Sequence, residues 1–278
     1  PLGTSLAITK RPLAAPPAVT AALDKLRGTW AWDDNDYEDP MALARVAKQL
    51  ACGFFYRWAW PDGKPDLEWL DARNAWHREV AQYLKRRAAP GMDSPLLLAQ
   101  AAAGGRWDSA SWAEWTKVKD RPPPPVVPVW IDNFMVRDAL TWTKEQGRGI
   151  VWYEHGAIGE ALALAGLPVF GAGDDAAVAL GTTTAPVIVC SRAAHGTGRN
   201  LQAWAANLVT TPAANGTVWE QLLGRSHRPG QLADEVTADV YLHTDEFRAS
   251  FDQALKDAAY IEATQGQRQK LLFASVSR

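Results

Sequence analysis

The sequence contains little cysteine and no long apolar run, and both absences exclude whole classes of protein. Cys52 and Cys190 are its two cysteines, too few for a disulfide framework or a four-cysteine metal site. No stretch reaches the roughly 18 consecutive apolar residues of a membrane helix, and the N-terminus lacks the charged-then-apolar pattern of a secretory signal. These absences predict a soluble, cytoplasmic protein with no membrane partner.

Two kinds of ligand site are also missing from the sequence. The phosphate-binding loop Gly-x-x-x-x-Gly-Lys-Ser/Thr does not occur, because the single Gly-Lys pair, Gly63-Lys64, runs into Pro65 and has no glycine five residues before it. The five histidines are scattered without metal-ligand spacing. The sequence therefore predicts no complete ATP site and no metal site.

The composition that remains is ordinary for a globular protein, with one unusual feature. The 278 residues are 47% hydrophobic and 22% charged, and the formal net charge is -2. Any nucleic-acid contact must therefore come from a local basic surface rather than from the charge of the whole chain. The unusual feature is the presence of 14 tryptophans.

A run of four prolines at 122–125 divides the sequence into two predicted regions. Residues 1–5, Pro-Leu-Gly-Thr-Ser, are expected to be a scar of tag removal. The proline run must be extended, which predicts a boundary between a helical, Trp-rich accessory region at 6–121 and a second region at 126–278. In the first region, one helix begins at Asp39-Pro40 and continues to Phe54, and another runs from Asp66 to Pro90-Gly91.

The second region has a different period, in which short apolar runs alternate with longer helical patterns. The predicted strands are 149–153, 168–170, 186–190, 207–209 and 236–242. The predicted helices are 132–146, 157–165, 217–228 and 245–263. This alternation predicts an α/β fold with a parallel sheet flanked by helices.

Two polar segments follow strands of the predicted sheet: SRAAHGTGRNL at 191–201 and EQLLGRSHRPGQ at 220–231. Ligands of open α/β sheets bind beyond the carboxyl ends of the strands, so both segments are candidate sites. Gln221, Arg225 and Arg228 fall within two helical turns, and neighbouring guanidiniums repel unless they share an anion. A nucleotide phosphate suits such a pair. A solvated helix with surface ion pairs explains these residues equally well.

The segment at 220–231 resembles motif VI of superfamily 2 helicases and translocases, in the Gln-x-x-Gly-Arg-x-His-Arg-x-Gly-Gln form of chromatin-remodelling-type motors and related phage helicases. The segment at 191–201 is similar to motif V of that group, and the interval between Asn200 and Gln221 fits. The resemblance covers 129–243. It implies the second, C-terminal RecA-like lobe of an ATP-dependent DNA helicase or translocase, with DNA and a first RecA-like lobe as partners. It also implies ATP and Mg²⁺ as cofactors, bound mainly by that first lobe.

The resemblance further implies roles for nine residues. The catalytic set comprises the arginine finger, its phosphate-contacting partner and a polar organiser of the interface: Arg228, Arg225 and Gln221. The implied nucleotide-binding residues are Gly198, Asn200 and Gly224. The implied nucleic-acid-binding residues are Ser191, Thr197 and Arg199.

Three other patterns each keep two interpretations. The first pattern is the pair Trp58 and Trp60, with Arg73 and the Lys85-Arg86-Arg87 cluster nearby. These residues form a stacking and phosphate surface for DNA, or the tryptophans belong to the core. The acidic run at 33–39 is either a helix cap in a solvated loop or a metal site. The pair Asp234-Glu235 is either a solvated turn or an acidic metal motif.

Two functional hypotheses from different classes follow from these patterns. The first is a motor lobe carrying a helical accessory region. The second is a non-catalytic nucleic-acid-binding or annealing module, in which the Trp-rich region is the functional part and the RecA-like lobe is a scaffold. A RecA-like relic without ATP function is disfavoured by the presence of both Arg225 and Arg228.

Overall fold

A computed structural model of the chain describes residues 3–33, 35–37, 39–86, 89 and 91–277. The strands are β1 (Ser5–Arg11), β2 (Ala31–Trp32), β3 (Asn35–Asp36), β4 (Phe54–Trp58), β5 (Val126–Trp130), β6 (Gly149–Tyr153), β7 (Val169–Phe170), β8 (Val187–Ser191), β9 (Ala206–Val209), β10 (Glu235–Tyr241) and β11 (Ser275–Ser277). The helices are α1 (Pro17–Thr29), α2 (Pro40–Ala51), α3 (Leu67–Lys85), α4 (Pro95–Ala103), α5 (Trp112–Val118), α6 (Phe134–Gln146), α7 (Gly156–Leu164), α8 (Asp174–Thr182), α9 (Arg192–His195), α10 (Gly216–Ser226), α11 (Asp245–Gln265) and α12 (Lys270–Phe273).

Seven strands of the described residues form one sheet, in the order β11-β1-β10-β9-β6-β8-β7, and all paired neighbours run parallel. The interior strand β6 pairs with β9 on one side and β8 on the other, and all five of its residues are buried. A strand covered on both faces needs a continuous apolar run rather than alternation. The predicted α/β fold is confirmed, and the five predicted strands correspond to β6–β10.

The first strand of the sheet lies where the sequence predicted an accessory region. Strand β1 pairs with β10 over its full length, with Ser5 opposite Glu235, and it also pairs with β11. Thr4 Oγ1 donates a hydrogen bond to the carbonyl of Ala233, so residues interpreted as a tag scar contact the sheet. The expected boundary differs from the structure because the partner strand lies 230 residues later, where no local pattern reveals it.

The chain forms two compact units, one inserted into the sequence of the other. The sheet unit contains the chain up to Phe55 and from Pro128 onward, and the tryptophan unit is Tyr56–Val127. The chain leaves the sheet unit along β4 and returns along β5, and these strands pair with each other. The proline run therefore lies inside the tryptophan unit, just before β5.

The two faces of the sheet differ in polarity near β1 and β10. One face packs into an apolar core with α10 and α11, through Ile8, Val240, Trp219 and Phe251 among others. Alternate residues point to the other face. There, Trp142 of α6 donates to Asp239 at 2.6 Å, and burial raises the pKa of that carboxyl.

Tryptophan rings form the core of the tryptophan unit in two clusters, each centred on a buried residue of α3. The first cluster is Trp69 with Trp58, Trp60 and Trp115. The second is Trp76 with Trp107 and Trp112. Trp58 and Trp60 are half-buried and meet edge to face at 5.7 Å, so both contribute to the packing. Lys85 and Arg86 are exposed, while Arg87 of the predicted basic cluster lies outside the described residues.

Helix α2 begins as its sequence predicts and ends earlier. Asp39 caps it by accepting a hydrogen bond from the backbone N–H of Met41. Its end is followed by Gly53 at φ +89°, where a Cβ would collide with the carbonyl of Asp132, and Phe54 then starts β4 rather than continuing the helix. Helix α3 ends at Lys85. Pro90, as well as Asp34 and Glu38 of the acidic run, lies outside the described residues.

The sequence predicts no membrane-spanning helix. Within the ranges that the structure describes, no helix is both long and apolar enough to cross a membrane.

Two glycine-to-alanine changes should have opposite effects on stability, one at the contact between α10 and α11 and one at an open position of α1. A Cβ at Gly216 would lie 2.7 Å from the backbone nitrogen of Ala258, so Gly216→Ala should lower the free energy of unfolding by about 1–3 kcal/mol. A Cβ at Gly28, in α1, meets nothing within 4 Å, and Gly28→Ala should raise it by about 0.4–1 kcal/mol. Urea denaturation measures both, and equal effects would contradict the close packing.

Candidate functional site

Helix α10 carries most of the segment that resembles motif VI, and side chains of its neighbours fix it in place. At its start, Asn215 Oδ1 accepts a hydrogen bond from the Val218 N–H at 3.1 Å, and Asp257 Oδ2 accepts one from the Gly216 N–H at 2.8 Å. Acceptors with negative charge suit this end of a helix. Farther along, Glu220 pairs with Lys270 of α12 at 2.5 Å. The position of the arginines at the other end is therefore set by α11 and α12.

The last turn of α10 is held to the sheet by the buried amide of Asn207 on β9. Its Oδ1 accepts hydrogen bonds from Ser226 Oγ at 3.2 Å and Trp152 Nε1 at 3.0 Å. Its Nδ2 donates to the carbonyl of Thr237 at 3.0 Å. A buried polar group is tolerated when its partners are present, and here they join β6, β9, β10 and α10 at one point.

Arg225 joins the two polar segments directly. Its backbone carbonyl accepts a hydrogen bond from the Leu201 N–H at 3.1 Å. Its guanidinium donates to the carbonyls of Arg199 and Gln221, each at 2.9 Å. The segments resembling motifs V and VI, which are separated in sequence, are therefore adjacent in the fold.

Two glutamines reinforce this connection through backbone carbonyls. Gln231 Nε2 donates to the carbonyls of Gln202 at 3.0 Å and Ser226 at 3.1 Å. Gln202 Nε2 donates in turn to the carbonyls of Pro229 and Arg228. Sequence reasoning assigned no role to Gln202, because a bond to a carbonyl 26 residues away leaves no local signal.

Arg199, Arg225 and Arg228 are half-buried, and within the part of the chain that the structure describes none of them pairs with a carboxylate. Burial, and secondly the positive charge of Arg228, lowers the pKa of Arg225. By contrast, Arg192 pairs with Glu154 at 2.6 Å. Removing water from like charges is unfavourable, so an anion between these arginines would stabilise the arrangement.

The segment resembling motif V begins at the end of β8. Ser191 Oγ accepts a hydrogen bond from the Ala194 N–H at 3.4 Å and so caps the short helix α9. A Cβ at Gly196 would lie 2.5 Å from the carbonyl oxygen of Arg192, and Gly198 has φ +72°. Glycine is therefore required at both positions. The side chain of Thr197 between them is exposed.

The remaining predicted residues lie on the two joined segments. Asn200 Oδ1 accepts a hydrogen bond from the Gln202 N–H at 3.3 Å, which pins the loop. Gln221 is exposed on α10. A Cβ on Gly224 would approach nothing closer than Lys270 Cε, at 4.0 Å. Gly224 therefore leaves open space beside Arg225 that the fold of this chain does not use.

His227, within the motif VI resemblance, is buried behind this surface. Its Nε2 lies 3.0 Å from the carbonyl of Thr4, and its ring faces Phe273 at 6.0 Å. These contacts give it a local structural role.

The arginines lie at the opposite end of the sheet from Ser191. Ser191 ends β8 at the carboxyl edge, whereas α10 runs back between two parallel strands, so its last turn is level with the start of β9 at Asn207. The expectation that both segments lie beyond the carboxyl ends is correct for Ser191 and wrong for Arg225. Residues 191–201 therefore connect the two edges of the sheet.

A groove that the sequence did not predict lies beside Arg199 and Asn200. Its volume is about 380 Å³, and residues from the end of α8 complete its lining, including Leu180 and Thr183. The buried ring of Trp204 forms part of its wall. The groove provides space next to the guanidinium of Arg199, which pairs with no carboxylate in the described ranges.

No protein-family model matches the chain, and no curated protein matches it. Among solved structures, the chain is similar to one described as "Crystal structure of the C-terminal part of Fun30 ATPase domain", with a TM-score of 0.50 and 11% sequence identity. The match covers 90% of this chain and 90% of that chain. At this identity the likeness concerns the fold alone, and it supports a RecA-like α/β fold.

The environments of Gly196 and Gly224 predict different outcomes for the same substitution. Gly196→Ala should destabilise the chain by about 1–3 kcal/mol, because its Cβ meets a backbone carbonyl. Gly224→Ala should stabilise it by up to about 1 kcal/mol, because alanine favours a helix and the space is open. Chemical denaturation compares the two, and a destabilised Gly224→Ala variant would show that the space at Gly224 is already occupied.

Proposed function

We propose that the sheet unit is the second RecA-like lobe of an ATP-dependent helicase or translocase that moves on DNA. The observation that carries this proposal is a group of half-buried arginines to which the described part of the chain supplies no carboxylate partner. They are held on two cross-linked segments that resemble motifs V and VI. The structural likeness to part of an ATPase domain supports the same class. A permanently charged, planar guanidinium is suited to the phosphate chain of a nucleotide.

Within this proposal, Arg228 is the arginine finger. Arg225 uses part of its guanidinium on carbonyls of the chain, so it contacts phosphate with its remaining donors and orients Arg228. Gln221, exposed one turn earlier, meets the first lobe. Gly224 gives the nucleotide or that lobe room to approach, and Gly198 and Asn200 shape the adjoining loop.

Nucleic-acid contacts are proposed at the segment that starts at the other edge of the sheet. Ser191 and Thr197 offer hydroxyls to DNA phosphates, and Arg199 offers a guanidinium. Because residues 191–201 run from the carboxyl edge to Arg225, a shift at one end would be transmitted to the other by a short, hydrogen-bonded path. This connection supports coupling between ATP hydrolysis and movement on DNA.

The first lobe would supply the remaining parts of the ATP site. This sequence has no phosphate-binding loop, and no carboxylate pairs with the three arginines among the described residues. The donor set in this chain therefore suits phosphate rather than Mg²⁺, and Mg²⁺ is assigned to the first lobe.

The 278-residue chain alone should not hydrolyse ATP, because the phosphate-binding loop and the magnesium ligands lie elsewhere. A coupled assay of phosphate release, with and without DNA, measures this. Steady turnover that survives Arg228→Ala would contradict the half-site.

In a protein that contains both lobes, Arg228→Ala should reduce kcat for ATP by about 10³- to 10⁵-fold while DNA binding is retained, because the finger meets charge that develops in the transition state. Arg228→Lys should restore little, since lysine lacks the planar fork. Arg248→Ala is the matched control, because Arg248 pairs with Asp245 at 2.6 Å on the surface. Intact turnover with weakened DNA affinity would refute the assigned role.

A further inference from the structure

The half-buried arginines of the described residues fall into two groups. The first group pairs with carboxylates and consists of Arg11, Arg121 and Arg192. The second group has no carboxylate partner and consists of Arg73, Arg199, Arg225 and Arg228. Three members of the second group belong to the proposed nucleotide and nucleic-acid surface. Arg73 belongs to the tryptophan unit and has no role so far.

Arg73 lies against two aromatic rings, and among the described residues no carboxylate pairs with it. It lies on α3 one turn after Trp69, with its guanidinium carbon 5.1 Å from the ring centre of Trp58 and 5.6 Å from that of Trp69. Its only described hydrogen bond is a long one, 3.5 Å, to the amide oxygen of Asn74. Stacking holds the plane of a guanidinium and leaves the N–H groups at its rim available.

Burial acts on this cation without an ion-pair partner among the described residues. Burial lowers the pKa of Arg73, and the charge of Arg73, after burial, contributes to lowering the pKa of His77 on the next turn. Another half-buried arginine of the unit, Arg121, has Asp66 at 2.8 Å and Glu68 at 2.6 Å. Arg121 therefore forms ion pairs with carboxylates, whereas Arg73 forms none with the described residues.

The surroundings of Arg73 add aromatic surface, and the tryptophan unit as a whole has a slight excess of basic residues. Trp58 and Trp60 are half-buried, in contrast to the buried Trp69 at the centre of their cluster. The tryptophan unit has 11 Lys and Arg against 9 Asp and Glu, whereas the whole chain has 29 against 31. Aromatic faces next to a positively charged groove or surface are the two elements that bind single strands without sequence preference.

We propose that Arg73, with Trp58 and Trp60, forms a binding site for single-stranded nucleic acid on the tryptophan unit. The rim of the Arg73 guanidinium contacts a backbone phosphate, and a base stacks on the exposed part of a tryptophan ring. The site does not depend on the proposed motor function, since it contains no residue of the nucleotide surface.

The test measures fluorescence anisotropy of a labelled oligothymidylate of roughly 16 nucleotides with the full 278-residue chain at about 50 mM salt. Arg73→Gln should weaken binding about tenfold, the loss expected for one charge-assisted hydrogen bond. It should also reduce the salt slope by about 0.7, as for one lost phosphate contact on a single strand. Arg73→Lys, which keeps the charge, should recover part of the affinity.

Arg78→Gln is the matched control, because it removes the same charge from an exposed position five residues later on the same helix. It should change affinity by less than about twofold, the scale of a screened surface charge. Near-ultraviolet circular dichroism and the melting temperature of each variant show whether the tryptophan clusters remain packed.

Five results would overturn the inference. In the first, the intact chain fails to bind the oligonucleotide. In the second, Arg78→Gln reduces the affinity for the oligonucleotide as much as Arg73→Gln does. In the third, Arg73→Gln lowers the melting temperature without changing affinity, which would make Arg73 a packing residue only. In the fourth, a phosphopeptide binds through Arg73 and the oligonucleotide does not. Loss of binding in Arg228→Ala but not in Arg73→Gln would move the site to the sheet unit and likewise overturn it.

Discussion

The buried side chain of Asn207 is the point on which the candidate site depends. It sits in β9 with none of its surface exposed, yet its amide is fully used by β6, β10 and the last turn of α10. An apolar residue of similar size would leave Trp152 Nε1 and Ser226 Oγ unsatisfied in a dry core, where each such group is costly. The position of Arg225 and Arg228 is therefore specified from inside the sheet, in addition to the contacts that α11 and α12 make with α10.

Pairing with carboxylates separates structural arginines from candidate functional ones in this chain. Arg11 is anchored by Asp138 and Glu145, and these contacts raise its pKa above the ordinary value. Arg73 and Arg225 show the opposite shift, because burial removes water and supplies no anion. The charge of the first kind of arginine is neutralised within the fold, whereas the second kind keeps its charge without a carboxylate among the described residues.

Much of the sheet was predictable, since the relevant signals are local, and the site residues stay a prediction. The apolar runs of β6–β10 and the start of α11 at Asp245 are visible in short windows, and the fold class they predict is confirmed. The place of β1 was not predictable, because pairing with β10 joins opposite ends of the chain. The positions of Arg225 and Ser191 at opposite edges of the sheet also escaped prediction, because the direction of α10 depends on tertiary structure. The burial of each tryptophan depends on the residues that pack against it in the fold, such as Arg73 beside Trp58. The spacing of tryptophans along the sequence does not reveal these neighbours.

The position of β1 between β10 and β11 has a consequence for the order of assembly during synthesis. At ribosomal rates of about 5–20 residues per second, the 230 residues that separate Ser5 from Glu235 take roughly ten to fifty seconds to appear. Through that interval β1 has neither of its neighbours, and the sheet ends at β9 with an open edge. Because Thr4 also contacts His227, the arginine loop is completed at the same late step. The strand β1 therefore stays without its parallel partners until the residues of β10 have been made.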